Sequence, residues 1–200
     1  AMSLLPYRQR CVDTPQGESY QGLELDVQHI CGVSILRSGA ILELPLRRAL
    51  PALSLGSVLI QISDSNYRPL LYSVALPSFV RDRKRAEHTW VLLTDAQVGT
   101  GAAAFMAVRV LLDHGVPEDH IILLTLLASA RGGLWSLYHA FPRIVIITAS
   151  VDPGLQRFAW KSPLEHVHNE VPTHATPLTT LSSIDSHHHG PIQQANTPID

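Results

Sequence analysis

The sequence predicts an α/β domain: a mostly parallel sheet with helices on both faces and a hairpin hood beside it. Three observations lead there. Cys31 to Leu36, Val91 to Leu93, Ile121 to Leu127 and Ile144 to Thr148 are near-continuous apolar runs of strand length, the pattern of strands buried on both faces. Helical stretches separate the last three, so the order is β-α-β-α-β and right-handed crossovers are expected. The third observation is the way the Val91 run ends.

Thr94 and Asp95 close that run, Gln97 to Gly101 form a short turn with two glycines, and Ala102 to His114 are strong helix formers. Phe105, Val108, Leu111 and Leu112 fall on one face of the helix, and Gly115 and Pro117 stop it. Strand, acid, glycine turn and helix in that order bring free backbone N–H groups and the positive end of a helix dipole onto the turn, which suits a phosphate. No lysine follows Gly101, so this is no Walker A loop. Gly99, Gly101 and Ala104 fit the loose G-x-G-x-x-A dinucleotide pattern. Its acidic partner, however, belongs at the end of the next strand, and Glu118 and Asp119 come before that strand. Asp95 would repel a pyrophosphate laid across the turn. It suits ribose hydroxyls, with Val98, Gly99, Thr100, Gly101 and Ala102 wrapped around a single 5′-phosphate. DAQVGTG resembles the phosphoribosyltransferase loop in this respect. The same residues also fit an ordinary βα turn whose glycines serve packing.

The 200 residues suffice for one α/β domain and a tail. A net charge of -2 argues neither for nucleic acid nor for a membrane surface. Cys11 and Cys31 are the two cysteines, there is no signal-peptide pattern at the start, and no apolar run approaches the roughly 20 residues of a membrane span. A soluble, cytoplasmic protein without a disulfide is expected. The start on Ala1 suggests a piece of a longer protein.

Residues up to about Gln28 read as a loop or hairpin, with turn formers Pro6, Pro15, Gly17 and Gly22. The Cys31 strand ends in Arg37, Ser38 and Gly39, and a helical stretch from Ala40 to about Leu50 follows, interrupted by Pro45. An arginine at the carboxyl end of a parallel strand points into the crevice where ligands of open α/β sheets sit, and its fork matches pyrophosphate oxygens. A surface pair between Arg37 and Glu43 is the other reading. Ser57 to Ile62 and Leu70 to Leu76 are two further strands, joined by a long polar connection that includes Tyr67 and Arg68. Such a connection suits an active-site hood, or a plain flexible hairpin. Arg81, Arg83, Lys84 and Arg85 read as a solvated connector rather than a nucleic-acid surface. Arg131 to Ala140 is a shorter helix begun by glycines. The expected core is Val33, Ile35, Leu59, Leu92, Leu93, Phe105, Val108, Leu112, Ile122, Leu124, Trp135 and Ile146. Residues 153–200, rich in Pro, Ser, Thr and His, read as a disordered tail, and His166, His168 and His187 to His189 lack the spacing of a closed metal site.

GVSILRSG (Gly32 to Gly39), LIQISDSNYRPLLYSVALP (Leu59 to Pro77), VLLTDAQVGTGAAAFMAVRVLLDHGVPEDHIILLTLL (Val91 to Leu127) and FPRIVIITASVD (ending at Asp152) stand in an order that resembles the uracil phosphoribosyltransferase family. Within it the nearest resemblance is to the phosphoribosyltransferase-like carboxyl-terminal domain of uridine-cytidine kinase-like proteins. The resemblance implies a type I phosphoribosyltransferase fold over residues 1–152. It also implies transfer of 5-phosphoribose from phosphoribosyl pyrophosphate to uracil with Mg2+, giving UMP and pyrophosphate, and a homo-oligomer. By the family's pattern Asp95 holds the ribose hydroxyls, Val98 to Ala102 cradle the 5′-phosphate, and Arg37 faces the leaving pyrophosphate. Active members follow the last strand with a glycine-rich segment that reads the uracil edge, and VDPGLQRFAWKSPLEHVHNEVPT stands there instead. They also carry proline after the aspartate and a second glycine or asparagine in the loop, where this chain has Ala96 and Ala102. No residue is therefore assigned to the base. The other function in view is a non-catalytic nucleotide-sensing or dimerisation module.

Overall fold

The computed structural model describes residues 2–63 and 68–153. Tyr67 and, apart from Pro153, the expected tail lie outside them. The chain begins with a hairpin, β1 (Tyr7–Asp13) and β2 (Ser19–Leu25), paired antiparallel from Tyr7↔Leu25 to Asp13↔Ser19 as a two-stranded sheet of its own. β3 (His29–Leu36), β4 (Ser54–Ile62), β5 (Pro69–Ala75), β6 (Thr89–Val98), β7 (Ile121–Ser129) and β8 (Val145–Asp152) form one six-stranded sheet in the order β5-β4-β3-β6-β7-β8. All neighbours are parallel except β4 and β5, so the hairpin expected as a hood is the antiparallel edge of the main sheet.

β6 lies inside the sheet between β3 and β7, and Val91, Leu92 and Leu93 are wholly buried. Alternation sends Val91 and Leu93 into one core with Val33, Ile35, Val58, Ala107, Val108, Leu111, Ile121 and Leu123. Leu92 and Ile122 point to the other face, which Leu46, Leu50, Leu5 and Met2 help to cover. The first core lies under α4 (Ala102–Asp113) and the second under α1 (Glu43–Ala49), so both faces carry helix.

The buried side of α4 is Ala104, Ala107, Val108 and Leu111, rotated from the expected stripe. Phe105 is 41% exposed and leans on Phe141 at 4.9 Å between ring centroids. Alanine faces let the helix approach the sheet closely, and the larger ring is displaced to the rim. Trp135, also expected in the core, begins α5 (Trp135–Ala140) and is 60% exposed, its ring tilted against that of His139 at 4.0 Å between centroids. Leu59, Leu112, Leu124 and Ile146 are half-buried. Pro45 does not interrupt the helix after β3. A 3₁₀ turn over Ser38–Leu42 comes first, and Pro45 falls in the opening turn of α1, where its missing N–H costs no hydrogen bond. The basic connector folds as two single turns, α2 (Ser78–Arg81) and α3 (Arg83–Ala86), anchored by buried Val80 and Ala86. Cys11 and Cys31 are both free thiols, and burial pushes that of Cys31 up to about 12.

Candidate active site

The carboxyl ends of β3, β6 and β7 lie side by side, and the crevice beyond them is where open α/β sheets receive ligands. β6 runs further than its apolar residues alone indicate. Gln97 and Val98, expected in the turn, still pair with Leu127 and Ala128 of β7, because β7 also continues to Ser129. The turn proper is Gly99, Thr100 and Gly101. Gly101 caps α4 with φ of +82°, a left-handed conformation that disfavours a side chain. The N–H groups of Thr100 and Gly101 donate to no other backbone group among the described residues, and Ala102 donates to Thr100 Oγ1 at 3.4 Å. The turn thus presents unspent donors and an exposed hydroxyl.

Asp95 sits three residues before the strand end and is 5% exposed. Ser38 donates its hydroxyl to Asp95 Oδ1, and Gln97 N–H approaches the same oxygen at 3.4 Å. Burial raises the carboxyl to about 6, against the opposing pull of the Ser38 hydroxyl and the backbone N–H groups of Gln97 and Ala96. Among the described residues no cation is paired with it, so the carboxylate is held desolvated with room for further donors.

β6 is gripped on both flanks by glycines from its neighbours. Gly39, in the 3₁₀ turn after β3, lies so close to β6 that an added Cβ would stand 2.1 Å from the Thr94 carbonyl oxygen. Thr94 Oγ1 is in turn 3.1 Å from the Gly39 carbonyl oxygen, which accepts its proton. On the other flank the chain leaves β7 through a π-helical turn, Ala130–Leu134, opened by Ser129, whose Oγ accepts from Gly132 N–H at 3.1 Å. A Cβ on Gly132 would fall 2.7 Å from Gly99 O, and one on Gly133 2.5 Å from Val98 Cγ1.

Of the residues expected at the site, Asp95, Val98, Gly99, Thr100, Gly101 and Ala102 come together at the end of β6. Arg37 follows β3 directly, is exposed, and makes no pair with Glu43. Arg68 precedes β5, and its carbonyl accepts from Ser63 N–H at 2.9 Å. Sequence reasoning does not assign Ser38, Gly39, Ser129, Gly132 and Gly133 to the site. The signal for the last two was the glycine pair directly after a buried strand, which reads as a close approach of backbones once β7 is known to neighbour β6.

Comparison with known proteins agrees with this geometry. The sequence model of the family described as uracil phosphoribosyltransferase matches residues 1–163. Uridine-cytidine kinase-like 1 of Mus musculus is 47% identical over 152 residues, 76% of this chain and 26% of that protein. Uridine-cytidine kinase A of Dictyostelium discoideum is 39% identical over 78% of this chain and 29% of its own length. The chain thus spans between a quarter and a third of these kinase-named relatives. It spans 69% of uracil phosphoribosyltransferase 1 of Schizosaccharomyces pombe, with 35% identity over 159 residues. Among solved structures, the AQ2163 protein from Aquifex aeolicus superposes with a TM-score of 0.62 at 21% identity, covering 74% of this chain and 65% of that one, and shares the fold.

Proposed function

From the premise that the chain belongs to the uracil phosphoribosyltransferase family, with its type I phosphoribosyltransferase fold, we propose that it binds phosphoribosyl pyrophosphate and transfers 5-phosphoribose to uracil, releasing pyrophosphate and forming UMP. The observation that carries this reading is Asp95, a desolvated carboxylate with no cation paired to it among the described residues, beside a glycine turn whose N–H donors are unspent among them. Ribose hydroxyls donate to Asp95 and relieve its desolvation. The turn from Val98 to Ala102, with the Thr100 hydroxyl, receives the 5′-phosphate. Across β6, Arg37 faces the pyrophosphate as it leaves. Departure of pyrophosphate leaves positive charge at the ribosyl carbon, and the base nitrogen closes on that carbon as its N–H proton passes to the released pyrophosphate or to water. The protein's share is to hold the groups in line, exclude water and neutralise the leaving charge. No group of three or more His, Cys, Asp or Glu side chains among the described residues could cage a metal. Mg2+ would enter with the pyrophosphate-bearing substrate and would supply charge neutralisation there. A homo-oligomer and a cytoplasmic location go with this reading, without nucleic acid or membrane as a partner.

A second reading rests on the 47% identity to uridine-cytidine kinase-like 1, of which the chain spans only 26%. On that reading it is a non-catalytic module that senses a nucleotide or dimerises beside a kinase domain. Titration of Mg2+-phosphoribosyl pyrophosphate into the chain, with and without uracil, followed by an assay for UMP, separates the two. Uracil-dependent UMP is expected. Binding without turnover selects the module, and no binding removes both ligand-based readings.

A further inference from the structure

We propose that Arg131, in the π-helical turn after β7, is a second arginine of the site and grips the 5′-phosphate from the flank opposite Arg37. The proposal rests on the phosphoribosyl reading above and adds a residue to it. The strand order β3-β6-β7 puts the segments after β3 and β7 on opposite sides of the Val98 to Gly101 turn. The β7 segment is held there tightly: the missing Cβ of Gly132 would sit 2.7 Å from Gly99 O, and that of Gly101 3.1 Å from Gly133 Cα. Arg131 is the residue before Gly132, one Cα step of about 3.8 Å away, so its side chain starts beside the phosphate turn and can span it.

Three features make this arginine available. It is exposed, and no hydrogen bond or ion pair engages its guanidinium among the described residues. The turn is held by Ser129 Oγ and by backbone packing, so the arginine has no part in building it. The nearest carboxylate in the ladder, Asp152, lies across from Ser129 on β8 and forms no ion pair with Arg131. A π turn is an uncommon local geometry that recurs at functional positions, and here it sets a planar, bidentate cation where a dianion is to be received. With Asp95 beneath the ribose and Arg37 on the pyrophosphate side, Arg131 is on the side left for the 5′-phosphate.

The test compares the parent chain with Arg131→Gln and Arg131→Lys by calorimetric titration of ribose 5-phosphate, UMP, uridine and Mg2+-pyrophosphate. Arg131→Gln should weaken ribose 5-phosphate and UMP by about tenfold or more, a loss of about 1.4 kcal/mol, and leave pyrophosphate and the melting temperature unchanged. Arg131→Lys should recover part of the loss. Unchanged ribose 5-phosphate binding, or an equal loss on pyrophosphate, overturns the assignment. A loss confined to base-bearing ligands also overturns it and makes Arg131 a reader of the base. In all these cases a parent that binds phosphoribosyl pyrophosphate and forms UMP keeps the phosphoribosyl reading intact. A parent that binds no phosphorylated ligand overturns both.

Discussion

The ends of β6 and β3 are built on one plan and finished differently. Each is a buried parallel strand that delivers one charged residue and a glycine turn into the same crevice. At β6 the charged residue is itself buried, and the backbone around it is clamped between Gly39 and Gly133. At β3 the charge stands in solvent, with no protein partner among the described residues. The first end is finished before ligand arrives and stores an electrostatic cost. On the proposed reading the second end gains its partner from the ligand. A carboxylate that must hold neutral hydroxyls benefits from a dry, rigid seat, whereas an arginine that meets a departing dianion needs reach.

This contrast can be broken most severely at the clamp. Gly39→Ala places a methyl against the Thr94 carbonyl, where the gap is 2.1 Å and the obstacle is backbone in a central strand. Overpacking of this kind should cost about 3 kcal/mol and lower the melting temperature by about 6–12 °C. An unchanged melting temperature would show that the 3₁₀ turn yields and that β6 is not gripped from this side.

The next effect has the opposite sign. Asp95 has a folded-state value of about 6 because it is desolvated. Above that pH it is charged in both folded and unfolded chains, and only the folded chain carries the desolvation cost. As pH falls through 6 the folded form takes up a proton and the cost disappears, and below the ordinary aspartate range neither state differs. Asp95→Asn should therefore stabilise the unliganded protein by about 3 kcal/mol at pH 8, an advantage that fades to nothing by about pH 4, while weakening phosphoribosyl pyrophosphate binding. Thermal melts of both chains across that range check it. A variant less stable at pH 8 would mean that the Ser38 and Gln97 hydrogen bonds outweigh burial.

The sequence made the β6 end legible and left its walls unread. Asp95 and Gly99 to Gly101 could be placed because a buried strand, an acid and a glycine turn are contiguous, and contiguity is what a linear reading captures. The grip of Gly39 on Thr94, or of Gly133 on Val98, needs the strand order, which periodicity does not contain. The same limit explains Phe105 and Trp135. Ranking by apolar size put them in the core, yet α4 meets the sheet through Ala104 and Ala107 because small residues permit close approach, and the rings go to the rim. Counting the helix from Ala40 sets Pro45 in its interior, but the 3₁₀ turn takes the first residues and leaves Pro45 in the opening turn of α1.

The smallest effect on the fold belongs to Arg37, and it is the sharpest test of the contrast. If β3 ends in a residue that waits for its partner, Arg37→Ala removes no intramolecular contact and should change stability by less than about 0.5 kcal/mol. Its whole cost should fall on the ligand. Loss of a charge-assisted pair is worth about 1.5–3 kcal/mol, so Mg2+-pyrophosphate and phosphoribosyl pyrophosphate should bind roughly 10- to 100-fold more weakly, with ribose 5-phosphate unaffected. Calorimetric titration beside a thermal melt measures both quantities on one preparation. A variant that melts several degrees lower would place Arg37 in the architecture, as Gly39 is. Undiminished pyrophosphate binding would move the leaving-group contact elsewhere along the crevice, with the stretch around Arg68 before β5 next to be tested.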